Sequence, residues 1–253
     1  MKLHYNELGE GKPFVILHGL FGYSDNWHSH AIKLSEYFRV INVDQRNHGH
    51  SGWSDEHTYE AMAADLFELF NELNLQDAVL MGHSMGGKTA MRFAQLHPER
   101  LSKLIVVDMG IKSYPMHHQE ILRGLHSIDL DTVHTRGEAE KAMSEIISSA
   151  GVRQFLLKNL YWKEKGKLSW RMNIPVLEQE MPEILKALPD QEVMIPTLFI
   201  KGALSNYILE EDWDSIEEIF PDSELVIIEN AGHWVHSENP SDFLNTVLGF
   251  CLR

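Results

Sequence analysis

The 253-residue chain reads as a doubly wound α/β domain, a mostly parallel central sheet with helices on both faces. Three observations lead there. Short, almost wholly apolar runs recur along the chain, as strands buried on both faces require. Helical periodicities separate those runs, so strand and helix alternate. One apolar run ends in Gly82-His83-Ser84-Met85-Gly86 and passes straight into a helical pattern, the arrangement of a nucleophile elbow.

The elements follow in order. Lys2–Leu8 is strand-like, and Phe14–Leu17 and Val40–Val43 are buried strands. Tyr59, Met62, Ala63, Leu66, Leu69, Phe70 and Leu73 repeat at helical spacing. Ala78–Met81 is the strand that leads into Ser84, and the helix from Met85 to Leu96 halts near Pro98. Leu104–Val107, Thr197–Ile200 and Leu225–Ile228 are three further buried strands. A helix over about 209–219 stops before Pro221, and the last helix starts near Pro240, a favourable first-turn proline. From about Ile111 to Asp190 there are helical patterns but no core strand. This predicts a helical cap, 111–190, inserted between the two halves of a core, 1–110 and 191–253. It would lie above the C-terminal sheet edge, where open α/β folds bind ligands.

A formal net charge of −15 argues against nucleic acid and against anionic membrane surfaces. No apolar stretch approaches the roughly 20 residues of a membrane span. The single cysteine, Cys251, excludes an intrachain disulfide. With no leader-like segment at the start, a cytoplasmic location is expected.

A Gly-x-Ser-x-Gly string arises by chance in roughly one chain in ten of this length, so its placement between strand and helix carries the argument. A serine hydroxyl needs a base to become a nucleophile. His233, between the last strand and the final helix, would hang at the same sheet edge as Ser84; His236 is its nearest rival. The turn His18-Gly19-Leu20-Phe21-Gly22 follows the strand Phe14–Leu17 and can aim backbone N–H groups at a developing oxyanion. The N–H groups of Leu20 and Met85 are the expected donors, with Phe21 the alternative to Leu20. The pairs His28/His30, His48/His50 and His117/His118 lack the acidic and cysteine spacing of a zinc site, so no metal is expected. Gly82-x-x-x-x-Gly87-Lys88-Thr89 also satisfies the P-loop pattern literally. That competitor leaves Ser84 and the distant His233 unexplained.

Taken together, His18–Gly22, Asp44-Gln45-Arg46-Asn47-His48-Gly49-His50-Ser51, Gly82–Lys88 and Gly232-His233-Trp234-Val235-His236 resemble the motifs of the α/β-hydrolases over almost the whole chain. The Arg46-Asn47-His48-Gly49 string, with Phe155–Asn159 in the cap, resembles the YbfF-type esterases. The resemblance implies a cofactor-free serine esterase acting on small-molecule acyl esters and, by extension, acyl thioesters. Most members place the triad acid after the strand equivalent to Thr197–Ile200, where this chain has Ser205. The acid is then expected at Asp108, at the end of the preceding strand, a position the superfamily also uses. Glu210, Glu211 and Asp212 are the alternatives, although acids in a first helical turn also serve the helix dipole. Phe21, Tyr207, Trp162 and Trp234 are the candidate substrate-pocket residues. Trp162, Trp170, Met172 and Met181 either line an apolar acyl pocket or form the core of the cap. Carbon–carbon bond hydrolases, amidases, thioesterases, perhydrolases and slow-turnover ligand receptors share the framework.

Overall fold

The computed structural model describes residues 1–253. In chain order the elements are β1 (His4–Leu8), β2 (Pro13–Leu17), α1 (His28–Leu34), β3 (Arg39–Asp44), α2 (Tyr59–Glu72), β4 (Ala78–His83), α3 (Met85–Leu96) and β5 (Leu101–Val107). Then come α4 (Gln119–His126), α5 (Arg136–Ser144), α6 (Ala150–Leu157), β6 (Leu160–Glu164), β7 (Lys167–Trp170), α7 (Ile174–Gln179) and α8 (Met181–Leu185). The chain closes with β8 (Thr197–Gly202), α9 (Trp213–Ile219), β9 (Ser223–Ile228), α10 (Val235–Glu238) and α11 (Pro240–Cys251).

Seven strands form one sheet in the order β1-β3-β2-β4-β5-β8-β9. β1 runs antiparallel to β3, and every other neighbouring pair is parallel. Side chains alternate across it, as the two-residue period of a strand demands. Phe14 and Ile16 of β2 and Val79 and Met81 of β4 face one core, with Leu34 of α1 and Phe243 and Val247 of α11. Val15 and Leu17, Leu80, and Leu104 and Val106 face the other, with Met62, Leu66 and Phe70 of α2 and Ala90, Phe93 and Ala94 of α3. Both faces are therefore covered, and the near-continuous apolar strands are accounted for. No helix is long and apolar enough to cross a membrane.

The parallel register sets the active edge. His83 pairs with Val107 and Val107 with Ile200, so β4, β5 and β8 end side by side. Residues that follow them, Ser84, Asp108 and the turn after Gly202, are delivered to one place.

Between β5 and β8 the chain makes five helices and leaves the core sheet. It also makes an antiparallel hairpin, β6–β7, where helical pattern alone was expected. Tyr161 and Trp162 favour extended backbone, and Gly166, at φ 80°, supplies the left-handed residue that the tight turn needs. Two differences lie in the core. His28–Leu34 forms α1 without a clear periodic signal, and the helix expected over about 209–219 begins as a 3₁₀ turn, Glu210–Asp212, before α9.

The excursion leaves and returns at one point. Leu188 N–H donates to Ile111 O at 2.9 Å and Tyr114 N–H to Leu185 O at 2.8 Å. Lys88, fully buried in α3, donates its ammonium to Lys112 O at 2.8 Å and to Lys186 O, one carbonyl on each stem. It lies over the rings of Tyr114 and Tyr59, and burial pushes its pKa down to about 7. A lysine held this way cannot reach a nucleotide phosphate, which removes the P-loop reading of Gly82–Thr89.

Candidate active site

Ser84 occupies the single residue between β4 and α3, at φ 53° and ψ −120°. A non-glycine residue in that region is strained by roughly 1–3 kcal/mol, so the surroundings must hold it there. They do so through backbone contact. Ser84 N–H donates to Val107 O at 3.0 Å, and Lys88 N–H donates to Ser84 O at 3.1 Å. A Cβ on Gly82 would stand 2.0 Å from Gly86 O, and a Cβ on Gly86 would stand 2.5 Å from the carbonyl oxygens of Leu17 and His18. The two glycines permit the close approach that lifts the Ser84 hydroxyl clear of its own backbone.

His233 lies in the turn between β9 and α10. Its Nε2 is 3.0 Å from Ser84 Oγ, and its Nδ1 is 2.7 Å from Asp108 Oδ2. A carboxylate can only accept, so Nδ1 carries the proton and Nε2 presents its lone pair to the serine hydroxyl. Asp108 is completely buried, at φ 50°, just past the end of β5. Its Oδ1 accepts from Gly202 N–H at 3.1 Å, and its Oδ2 also accepts from the Ser205 hydroxyl. Asp212 is elsewhere: it pairs with Lys112 and accepts from Leu209 N–H at 2.7 Å.

Two further groups orient the imidazole. His83 Nε2–H donates to His233 O at 2.8 Å. Burial first, then the neighbouring His233, push the His83 pKa down to about 3, so it stays neutral and serves as a fixed donor. Tyr207 lies parallel to the His233 ring, centroids 3.9 Å apart and planes at 15°, and its hydroxyl reaches His117 Nε2 at 2.7 Å. His236, the rival base, instead stacks on Trp27 with centroids 4.1 Å apart and makes no bond to Ser84.

The turn after β2 abuts the serine, a Cβ on Gly19 falling 3.3 Å from Ser84 Cβ. The motif Arg46-Asn47-His48-Gly49 shapes this turn from below. Gln45 N–H donates to His18 Nε2 at 3.0 Å, which leaves His18 Nδ1–H to donate to Gly19 O at 2.8 Å. Phe21 N–H donates to His48 Nε2 at 3.1 Å, and His48 Nδ1–H to Arg46 O at 2.9 Å. Phe21 is thereby unavailable to an oxyanion. Leu20 N–H keeps no partner in the turn, and Met85, first residue of α3, has no intrahelical acceptor. Asn159, beyond α6, donates to Phe21 O at 2.7 Å, and Asn173 N–H to Asn47 O at 2.9 Å. The excursion is thus pinned to the same turn.

A cleft of about 650 Å³ opens over Ser84 and His233. Leu20, Phe21, Tyr207 and Trp234 line it, joined by Ile121 of α4 and Val152 and Phe155 of α6. Trp162 corrects the sequence reading: it is 50% exposed on the β6–β7 hairpin and does not line the cleft. It shares a ribbon face with the buried Leu160, Leu168 and Trp170 but stands nearer the turn, where its side chain is left exposed. Trp170, Met172 and Met181 are buried in the apolar core. His83, His117 and His118 do line the cleft and were not expected there. The x of Gly-x-Ser-x-Gly points beneath the base once the elbow turns, which was the one available hint for His83. The two others precede α4 in an irregular stretch without periodicity.

The alpha/beta hydrolase fold family model matches residues 12–133. The chain is 38% identical over 245 residues to the mouse sn-1-specific diacylglycerol lipase ABHD11, covering 93% of this chain and 80% of the relative. It is 36% identical over 238 residues to Esterase YbfF of Escherichia coli strain K12, covering 93% and 91%. A solved structure titled "Marine microorganism esterase" superposes with a TM-score of 0.97 at 43% identity, covering 99% of both chains. The chain belongs to the α/β-hydrolase fold family and resembles its YbfF-type esterases.

Proposed function

We propose that the protein is a serine esterase that hydrolyses carboxylic esters of short to medium acyl chain through an acyl-enzyme intermediate. The observation that carries this is the unbroken line from Ser84 Oγ through His233 to Asp108, at 3.0 and 2.7 Å. In this reading Ser84 attacks the ester carbonyl while His233 Nε2 takes its proton. The N–H groups of Leu20 and Met85 hold the tetrahedral oxyanion. His233 then protonates the departing alcohol, and water activated by the same imidazole releases the acid. Asp108 fixes the tautomer and stabilises the imidazolium. No step requires a cofactor.

The cleft volume lies within the roughly 300–1,000 Å³ typical of small-molecule sites, and Phe21, Phe155, Val152 and Trp234 give it apolar surface for an acyl chain. A second reading, cleavage of longer-chain glycerolipid esters, is supported by the similarity to the mouse lipase. Hydrolysis of a p-nitrophenyl ester series from acetate to palmitate, by wild type and Ser84→Ala in parallel, tests both. The expected result is a maximum at short to medium chain length and a loss of roughly 10⁴-fold or more in kcat in the folded variant. A maximum at palmitate would favour the glycerolipid reading, and retained turnover in Ser84→Ala would overturn the mechanism.

A further inference from the structure

Asp44 ends β3, and antiparallel pairing places His4 of β1 directly opposite it. The chain then turns through Gly49, at φ 59°, and brings His50 back to the same carboxylate. His4 Nδ1 lies 3.0 Å and His50 Nδ1 3.2 Å from Asp44 Oδ2, and the three atoms lie within 4.8 Å of one another. Sequence spacing hid this, because the ligand types come from positions 4, 44 and 50.

We propose that His4, Asp44 and His50 form a binding site for a divalent transition-metal ion of the Zn²⁺ class, separate from the Ser84 cleft. Two imidazole nitrogens and one carboxylate are the donor set that borderline ions such as Zn²⁺ take. Ligand atoms about 2.1 Å from one ion sit about 3.0–3.4 Å apart in octahedral or tetrahedral geometry, the separation found here between each imidazole and the carboxylate. Rotation of the two exposed rings brings the nitrogens together. The carboxylate is preorganised: Oδ1 accepts from Ser24 N–H at 2.7 Å and Oδ2 from His50 N–H at 2.8 Å. Such outer partners orient a metal-binding carboxylate. The side chains of His4 and His50 are 38% and 46% exposed, which provides the entry path. None of the three lines the cleft over Ser84.

The ion competes with Arg171. The Arg171 guanidinium, resting on the Tyr161 ring with Cζ 4.4 Å from its centroid, donates to His50 Nε2 at 2.7 Å. That bond fixes the His50 proton on Nδ1, facing Asp44. Coordination through Nδ1 requires the proton on Nε2, where it faces a cationic donor, so Arg171 must leave. Metal binding therefore releases the tie between the residue after β7 and the loop after β3.

Calorimetric titration of chelator-treated, desalted protein with Zn²⁺ tests this, with the visible spectrum of the Co²⁺ form as a second readout. Wild type should bind one equivalent. His4→Ala and His50→Ala should each weaken binding by at least about tenfold and lose the Co²⁺ bands, whereas Arg171→Met should bind more tightly. The site is disproved by the absence of binding in wild type, or by an equivalent that persists in both histidine variants and so resides elsewhere among the 15 histidines. Unchanged affinity in Arg171→Met would overturn the competition.

Discussion

The Ser205 hydroxyl and the His233 imidazole meet on one oxygen of Asp108, Oδ2. Ser205 sits in the loop after β8, whereas Asp108 follows β5. The two positions converge because β5 and β8 are neighbours in register, Val107 against Ile200. One supplies the carboxylate and the other a donor to it.

Asp108→Asn should therefore lower kcat by about 10³–10⁴-fold, because an amide can hold the imidazole in the wrong tautomer. Asp212→Asn, which touches Lys112 rather than His233, should change kcat little. The reverse order in steady-state kinetics would move the acid to the later loop. Ser205→Ala, losing one hydrogen bond to a charged group, should cost about 1.5–3 kcal/mol, read as lower stability and reduced kcat.

Gly86→Ala should be damaging although it removes no hydrogen-bonding group. Its Cβ would press on the carbonyls of Leu17 and His18, at the root of the turn that carries Leu20. Overpacking of this kind costs about 1–3 kcal/mol, and kcat should fall more than KM rises. Wild-type kinetics in this variant would show that the turn adapts freely.

Lys88→Met should be destabilising by about 1–3 kcal/mol, since the carbonyls of Lys112 and Lys186 lose their donor while remaining enclosed. Urea unfolding measures it. A midpoint equal to wild type would mean that these carbonyls find another partner.

Acid should weaken the fold before most carboxylates titrate. Burial, with neighbouring cations or histidines, pushes His57 and His83 to about 3 and His118 to about 4, against 6.5 in the free side chain. In the unfolded chain these residues take up protons as pH falls through 6.5, while the native protein does not. Stability is thus complete above pH 6.5 and declines toward pH 4, with a slope of up to about 1.4 kcal/mol per pH unit for each histidine. Unfolding free energies at pH 7.5, 6 and 5 check this; a flat profile would show that the histidines are protonated in the native state.

Much of the architecture was legible from residue patterns. Strands such as Val79–Met81 must be apolar on both faces, and the Gly82–Gly86 elbow has few alternatives sterically. Ser84, His233 and the expected acid at Asp108 follow from where strands end, because a parallel sheet delivers those ends to one edge. The β6–β7 hairpin was not legible: it stands outside the core sheet and buries only Leu160, Leu168 and Trp170, too few to mark a two-residue period, and Trp162 lies on that same face but toward the turn, beyond the buried part. The hydrogen bonds of His48 and Asn159 escaped prediction because they join residues far apart in sequence, such as Asn159 and Phe21.

The excursion between β5 and β8 departs and returns within a single hydrogen bond, Leu188 to Ile111. For the sheet, everything between those two residues is topologically a closed loop, however long. A segment of different length or composition can replace it without moving the strand ends that hold Ser84 and Asp108, provided that it keeps the two carbonyl acceptors of Lys88 and a donor to Phe21 O in the place of Asn159. Substrate preference can thereby diverge while the reactive geometry is inherited intact, and a transplant joined at Ile111 and Leu188 is where an engineer would cut.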